Sequence, residues 1–411
     1  MRADRARVAD VRRRVRPRIL FLSHSASLNG ATILLLHLIK WLKGHFDCEI
    51  EVLVNGPGPL VPEFRTVART IVWRNISKPF APFHGRAGTR AREFLELQYM
   101  SSLLAGRRFD LIYANTCASW RHIKLLADSG TALLWHVHEL PYAIRLSLGN
   151  QDASSPLSVA SRFIAVSNCV QAALAGAFGV PHDKIDIVHG FVPLPVIGET
   201  ERLRRRQIIR NSLEWPQDAF VVLGCGSLGW RKGTDLFLQI ARNVSISGGY
   251  ERVRFLWVGG DVHSKEDLEF AHDQRRLDLS QLCARVENTA NVLDYYCAAD
   301  LFLLTSREDP FPLVMLEAAS LGIPVGCFGD AGGAPEFIGE DAGFIVPYLD
   351  TTAFASKVML LHDHPDQRMH FGAAAKEKVK SSFCVEAQAP KILQSIERCL
   401  SLTSASDRSL D

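Results

Sequence analysis

From Arg18 onward, short runs rich in leucine and β-branched residues alternate with stretches of helical spacing, and this alternation leaves few folds open. Continuous apolar runs suit strands buried on both faces, and a helix between successive strands is what a parallel connection needs. The first half supplies RILFLSH, EIEVLVN, DLIYANT, ALLWHVHE, RFIAVS and KIDIVHG. The second supplies AFVVLGCG, RVRFLWVGG, DLFLLTS and IPVGCFGD. The chain therefore reads as α/β, with two parallel sheets covered by helices. At 411 residues it is long for one core and well sized for two.

Nearly every run ends at its carboxyl edge in polar or small residues: Ser23-His24, Asn115-Thr116, His138-Glu139, Ser167, His189-Gly190, Gly226, Gly259-Gly260, Ser306 and Gly329. In an open parallel sheet that edge forms the crevice where ligands bind, although turn chemistry alone also places Gly and Ser there. Two such sheets imply two crevices facing each other. The boundary falls in FVPLPVIGETERLRRRQIIR, residues 191–210, where prolines break the periodicity and a basic helix follows. Residues 18–195 then form an N-terminal domain and 196–385 a C-terminal domain. Residues 386–411 form a helix and polar tail, the helix expected to pack back on the N-terminal domain. Arg204, Arg205 and Arg206 read as a solvated helix face, or as positive potential at the cleft mouth.

Charge and cysteine usage exclude several classes. A net charge of +3 makes no case for nucleic acid. Eight arginines and two aspartates crowd the first eighteen residues, so 1–17 reads as a basic, disordered arm. It is either simply solvated or an electrostatic attachment to an anionic membrane face. Nine cysteines stand singly, with no C-x-x-C pair, which argues for reduced thiols and a cytoplasmic protein, peripheral on the inner membrane face if the arm attaches. The arm lacks the apolar core of a signal peptide. The run Ile33–Leu42 is interrupted by His37 and Lys40 and is too short to span a bilayer.

Three glycine loops at carboxyl edges could hold phosphate. GCGSLGWRKG, from Gly224, lies between a strand and a helix starting near Thr234, where free backbone N–H groups and a helix dipole suit an anion; Arg231 and Lys232 add full charges. Gly332-Gly333 and Asn29-Gly30 are the others. Each also has a plain reading as a tight turn, and none matches the dinucleotide or nucleoside triphosphatase fingerprints.

The segment SREDPFPLVMLEAASLGIPV sets a carboxylate, Glu317, in the middle of an apolar helix, separated from Asp309 by seven residues. It resembles the E-x7-E signature of retaining glycosyltransferases of GT-B architecture, specifically family 4. Asp309, Phe311, Leu313, Glu317, Ala318, Gly322, Pro324 and Val325 occupy matching places. GWRKG, HVHEL, FIAVS, LDYYCAADLFLLTS and GGAPEFI fit the same family in its order, across most of residues 18–385.

The resemblance implies two Rossmann-like domains facing each other across a cleft, 18–195 binding the acceptor and 196–385 the nucleotide-sugar, and transfer of a sugar from a nucleoside diphosphate sugar to an acceptor hydroxyl. It implies that Glu317 hydrogen-bonds the ribose, Asp309 meets the donor sugar, and Lys232 with Arg231 neutralises the diphosphate. It places His138 beside the donor sugar and lets Gly30 bring its loop near the diphosphate. Gly226, Ser227, Phe311, Leu313 and Val314 complete the donor-binding set. Departures are Asp309 for the usual Glu, Pro310 and Pro312 for glycines, and Ser227 where many relatives carry arginine. Proline has no N–H to offer a sugar. Asp309 also reads as a helix N-cap with Pro312 in the first turn, and Glu317 as a carboxylate satisfied by a protein partner such as an arginine.

No D-x-D pair and no His/Cys/carboxylate cluster with metal-ligand spacing occurs, so leaving-group charge is expected to fall to fixed cations and helix N-termini, with no metal and no cofactor beyond the nucleotide-sugar. The acceptor is expected to be a glycan or lipid-linked molecule of cell-surface polysaccharide synthesis, selected by Lys78–Arg92 and Tyr142–Pro156. A GT-B epimerase or phosphorylase, and a non-catalytic nucleotide-sugar binding protein, stay open as alternatives.

Overall fold

The computed structural model describes residues 16–73, 95, 98–99, 102–104, 106–126, 131–148 and 154–407. Nearly all of the basic arm, the segment Lys78–Arg92 and residues 149–153 of the second acceptor segment lie outside them.

Two all-parallel sheets carry the fold. The first holds β1 (Arg18–Ser23), β2 (Glu49–Asn55), β3 (Arg69–Trp73), β4 (Leu111–Asn115), β5 (Ala132–Val137), β6 (Arg162–Ala165) and β7 (Ile185–Ile187). Their order is β3-β2-β1-β4-β5-β6-β7. The second holds β8 (Phe220–Cys225), β9 (Val253–Val258), β10 (Cys283–Val286), β11 (Leu301–Leu304), β12 (Val325–Phe328) and β13 (Gly343–Val346). Its order is β10-β9-β8-β11-β12-β13. Strand order reverses between β1 and β4 and again between β8 and β11, which opens a crevice at each carboxyl edge. β3, β10 and β13 were not among the strands read from the sequence. All three are short edge strands with mixed burial, so they need no continuous apolar run.

The helix Gly30–His45 begins under an Asn29 cap, whose Oδ1 accepts from Thr32 N at 3.0 Å, and buries Leu34, Leu35, Leu36, Leu38, Ile39 and Leu42. The last helix runs from Val385 to Asp407. It packs on Gly30–His45, β5 and β6, with Ala389, Ile392, Ile396 and Cys399 fully buried. Ser395 and Arg398 bond Asp186 of β7 at 2.8 and 2.6 Å. The chain passes between the sheets near residues 191–198 and again near Phe383, and the two passages touch where Val192 bridges Cys384.

The helix Glu199–Ser212 corrects the solvated-face reading of its arginines. Arg204 is exposed and pairs with Glu201, but Arg205 reaches Asp294 at 2.7 Å and Arg206 reaches Asp300 at 2.8 Å. They fasten this helix to its own sheet unit and line no part of the cleft between the two sheets.

Candidate functional site

The N-terminal bank of the cleft is built from the ends of β1, β4 and β5. Register pairs Ser23 with Asn115, so His24 and Thr116 emerge side by side at the reversal point. Asn115 is fully buried; its Nδ2 donates to Ala31 O at 3.0 Å, which turns its Oδ1 toward His138 Nε2 at 2.9 Å. His138 must therefore carry its proton on Nε2, leaving the Nδ1 lone pair free. Burial, with His24 nearby, pushes the His138 pKa down to about 3. The ring is a neutral hydrogen-bond acceptor. His136, at 4.0 Å between ring centroids, is fully buried and bonded to Tyr113 Oη at 2.6 Å. Glu139 accepts from the backbone N–H groups of Cys117 and His138 at 2.9 Å, while burial raises its pKa.

The C-terminal bank begins with the turn after β8. Gly226, Gly229 and Gly233 all have positive φ, and a Cβ on Gly233 would stand 2.0 Å from Thr305 O, so the helix Thr234–Ser247 can start there only on glycine. The turn delivers Lys232, whose ammonium pairs with Asp309; Ser306 Oγ donates to the same carboxylate at 3.2 Å. Arg231 points its guanidinium at Glu308 O, 3.2 Å away, and is otherwise exposed.

Glu317 lies on the helix Leu313–Ser320 with Val314 on the cleft side. Its Oε2 accepts from Tyr296 Oη at 2.8 Å, and no other hydrogen bond reaches this carboxylate among the described residues. Burial raises its pKa, against the pull of that hydroxyl. A protein partner thus satisfies one oxygen, a tyrosine and not an arginine, and the other takes no hydrogen bond among the described residues.

These groups line one cleft of about 790 Å³. Every residue to which the family resemblance gave a catalytic or donor-binding part is on its wall: Gly30 and His138 on one bank, and Gly226, Ser227, Arg231, Lys232, Asp309, Phe311, Leu313, Val314 and Glu317 on the other. Two readings are corrected. Asp309 caps no helix: the residue before Leu313–Ser320 is Pro312, and that helix has no side-chain cap. Gly332 and Gly333 are not cleft-lining. Cβ atoms there would stand 1.8 Å from Asp309 O and 2.3 Å from Pro310 O, so these glycines let the chain pass beneath the carboxylate. Sequence reasoning missed Tyr296, Asn288 and Val292 on the C-terminal side; Tyr296 stood inside the LDYYCAAD block without a role.

Comparison with known proteins agrees with the two-sheet division. The model described as Glycosyltransferase Family 4 matches residues 28–194, and that described as Glycosyl transferases group 1 matches residues 219–364. D-inositol 3-phosphate glycosyltransferase 1 of Catenulispora acidiphila is 27% identical over 341 residues, 77% of this chain and 78% of that protein. Alpha-galactosylglucosyldiacylglycerol synthase of Streptococcus pneumoniae is 28% identical over 158 residues, a match spanning 36% of this chain and 39% of the synthase's length. The crystal structure of Anabaena Alr3699/HepE in complex with UDP-glucose shares the fold, with a TM-score of 0.77 at 20% identity over 93% of this chain and 99% of that one.

Proposed function

This chain belongs to the GT-B glycosyltransferases, and from that premise we propose that it moves a sugar from a nucleoside diphosphate sugar to a hydroxyl of a glycan or lipid-linked acceptor, with retention at the anomeric carbon. The observation that carries this reading is that Lys232 and Glu317, from different elements of the C-terminal sheet unit, face one cleft, as a single nucleotide would require. Glu317 takes the ribose hydroxyls on the oxygen that Tyr296 leaves free. Lys232 and Arg231 take the diphosphate. Lys232 is already shared with Asp309, so Arg231, exposed and hydrogen-bonded to a backbone carbonyl, supplies the less committed charge.

His138 offers a lone pair to a donor-sugar hydroxyl, and Asp309 holds Lys232 while facing the same sugar. In the reaction the anomeric carbon–oxygen bond to the diphosphate breaks and a bond to the acceptor oxygen forms on the same face. The acceptor proton passes to the departing phosphate oxygen. Preorganised cations that meet this growing negative charge lower the barrier without rearranging during the step. The named glycolipid synthase among the relatives favours an acceptor of surface glycolipid or polysaccharide assembly, with the enzyme working in the cytoplasm or against the inner membrane face.

A screen of nucleoside diphosphate sugars for binding and slow hydrolysis tests this directly. One donor is expected to bind, with product NMR showing the anomeric configuration kept. Glu317→Gln should weaken that donor's binding by about tenfold, the loss of a charge-assisted hydrogen bond. Absence of any donor binding would refute the assignment.

A further inference from the structure

Resting on that reading, we infer that Thr116 and His24 form the acceptor subsite, and that the group they hold is an uncharged, hydroxyl-bearing ring, a sugar or cyclic polyol, instead of a phosphorylated or carboxylated one. Three observations carry it. Thr116 is β-branched yet has φ 76 and ψ 155, a region essentially reserved for glycine. Its backbone is pinned there: its N–H donates to His136 O at 2.9 Å, and its carbonyl accepts from Trp135 Nε1 at 3.0 Å. Glycine would hold the same shape without strain, so folding alone gives no reason for a hydroxyl-bearing side chain at this point.

Among the described residues the Thr116 side-chain oxygen, in a residue only 2% exposed, is buried without a hydrogen-bond partner, and so is Nδ1 of the half-buried His24 beside it. Two unsatisfied polar atoms on neighbouring strand ends, both on residues lining the cleft, are a cost to the free protein that a bound hydroxyl removes. Charge selects which hydroxyl compound. Among the described residues, the N-terminal bank presents Glu63 and Glu139 and no lysine or arginine, while Arg231 and Lys232 stand on the opposite bank. Among those residues a second anion finds no uncommitted counter-charge on the Thr116 side, Lys40 being already paired with Glu63.

The experiment uses the full chain saturated with UDP. Calorimetry measures binding of neutral octyl glycosides of glucose, galactose, mannose and N-acetylglucosamine and of myo-inositol, against glucose 6-phosphate and inositol 1-phosphate. At least one neutral probe is expected to bind and the phosphorylated probes to bind more weakly. Thr116→Gly should lower the neutral probe's affinity about tenfold while raising Tm by about 2 °C as strain is released. Thr116→Val should lose the same affinity, Thr116→Ser should keep it within about threefold, and UDP affinity should be unchanged in all three. Binding by no neutral probe, tighter binding of a phosphorylated one, or a Thr116→Gly protein with undiminished glycoside affinity would overturn the inference. Failure of the wild-type chain to bind UDP, or any nucleoside diphosphate offered in its place, would instead strike the donor assignment beneath it.

Discussion

Lys232 shows what a single side chain contributes here. Its ammonium is largely buried against Asp309, so on the proposed reading removing it takes away leaving-group stabilisation, and it strands a carboxylate that among the described residues retains only Ser306. Lys232→Ala is expected to cut turnover by about 10²–10³ and to cost about 1–3 kcal/mol of stability, read by steady-state kinetics and thermal unfolding. The histidines give a pH prediction. Burial holds His24, His136 and His138 below the ordinary imidazole range, with His138 pushed down to about 3. As pH falls below about 6.5 the unfolded chain takes up protons that the native one refuses, so the native state loses stability from there downward. Unfolding free energy should drop between pH 7 and pH 5. In NMR the His138 ring should stay neutral across that range, protonated on Nε2; a titration near 6.5 would show that it is solvated. That Lys232, Asp309 and Glu317 share one cleft was legible because each stands in a short chain-local motif, Lys232 in the GWRKG turn and the two carboxylates separated by seven residues in one segment. Tyr296 and Thr116 were not, since one acts through a contact 21 residues away and the other through a backbone angle.

Among the elements, the helix Glu199–Ser212 depends on Arg210, which is fully buried and donates to the carbonyls of Gln217, Ala219 and Ala298 and to Asp300. Asp300 in turn accepts from Val221 N at 2.8 Å, tying the helix to β8, the strand that launches the Lys232 turn. Arg210→Ala should cost about 3–5 kcal/mol, seen as a lower urea midpoint, because it leaves several buried acceptors unpaired. The sequence made this helix visible as a basic run but, Arg204 aside, assigned Arg205 and Arg206 the wrong surroundings. Charge pattern alone does not say whether carboxylates such as Asp294 and Asp300, some ninety residues on, will come to meet it. The central strands were legible for the opposite reason: burial on both faces writes itself as an unbroken apolar run, and edge strands such as β3 and β10 escape that rule.

For the whole molecule, two carboxylates of the C-terminal side reach over to helix starts on the other. Glu336 accepts from the backbone N–H groups of Asn168 and Cys169 at 3.0 and 3.2 Å and from His189 Nε2 at 3.0 Å. Glu308 accepts from the N–H of Tyr142, whose ring also meets Trp230 at 5.9 Å. Burial works against the Glu336 carboxylate, but these donors outweigh it and hold its pKa below the usual range. Glu336→Ala should loosen the contact between the two sheet units. Small-angle scattering is expected to show a larger radius of gyration for the variant than for the wild type, with turnover reduced and the far-UV spectrum unchanged. Two-domain organisation was readable from the proline-bearing passage, whereas these bridges were not, because each joins residues more than 140 apart.

The last helix comes after the second sheet in the chain but packs on the first, where Ile392, Ile396 and Cys399 have no solvent contact. A gene cut after residue 383 would therefore damage the half it does not appear to touch, exposing an oily strip beside β5 and β6 and yielding insoluble product. Two polypeptides divided within 193–198 would instead find each other again, because the second fragment carries the missing wall of the first.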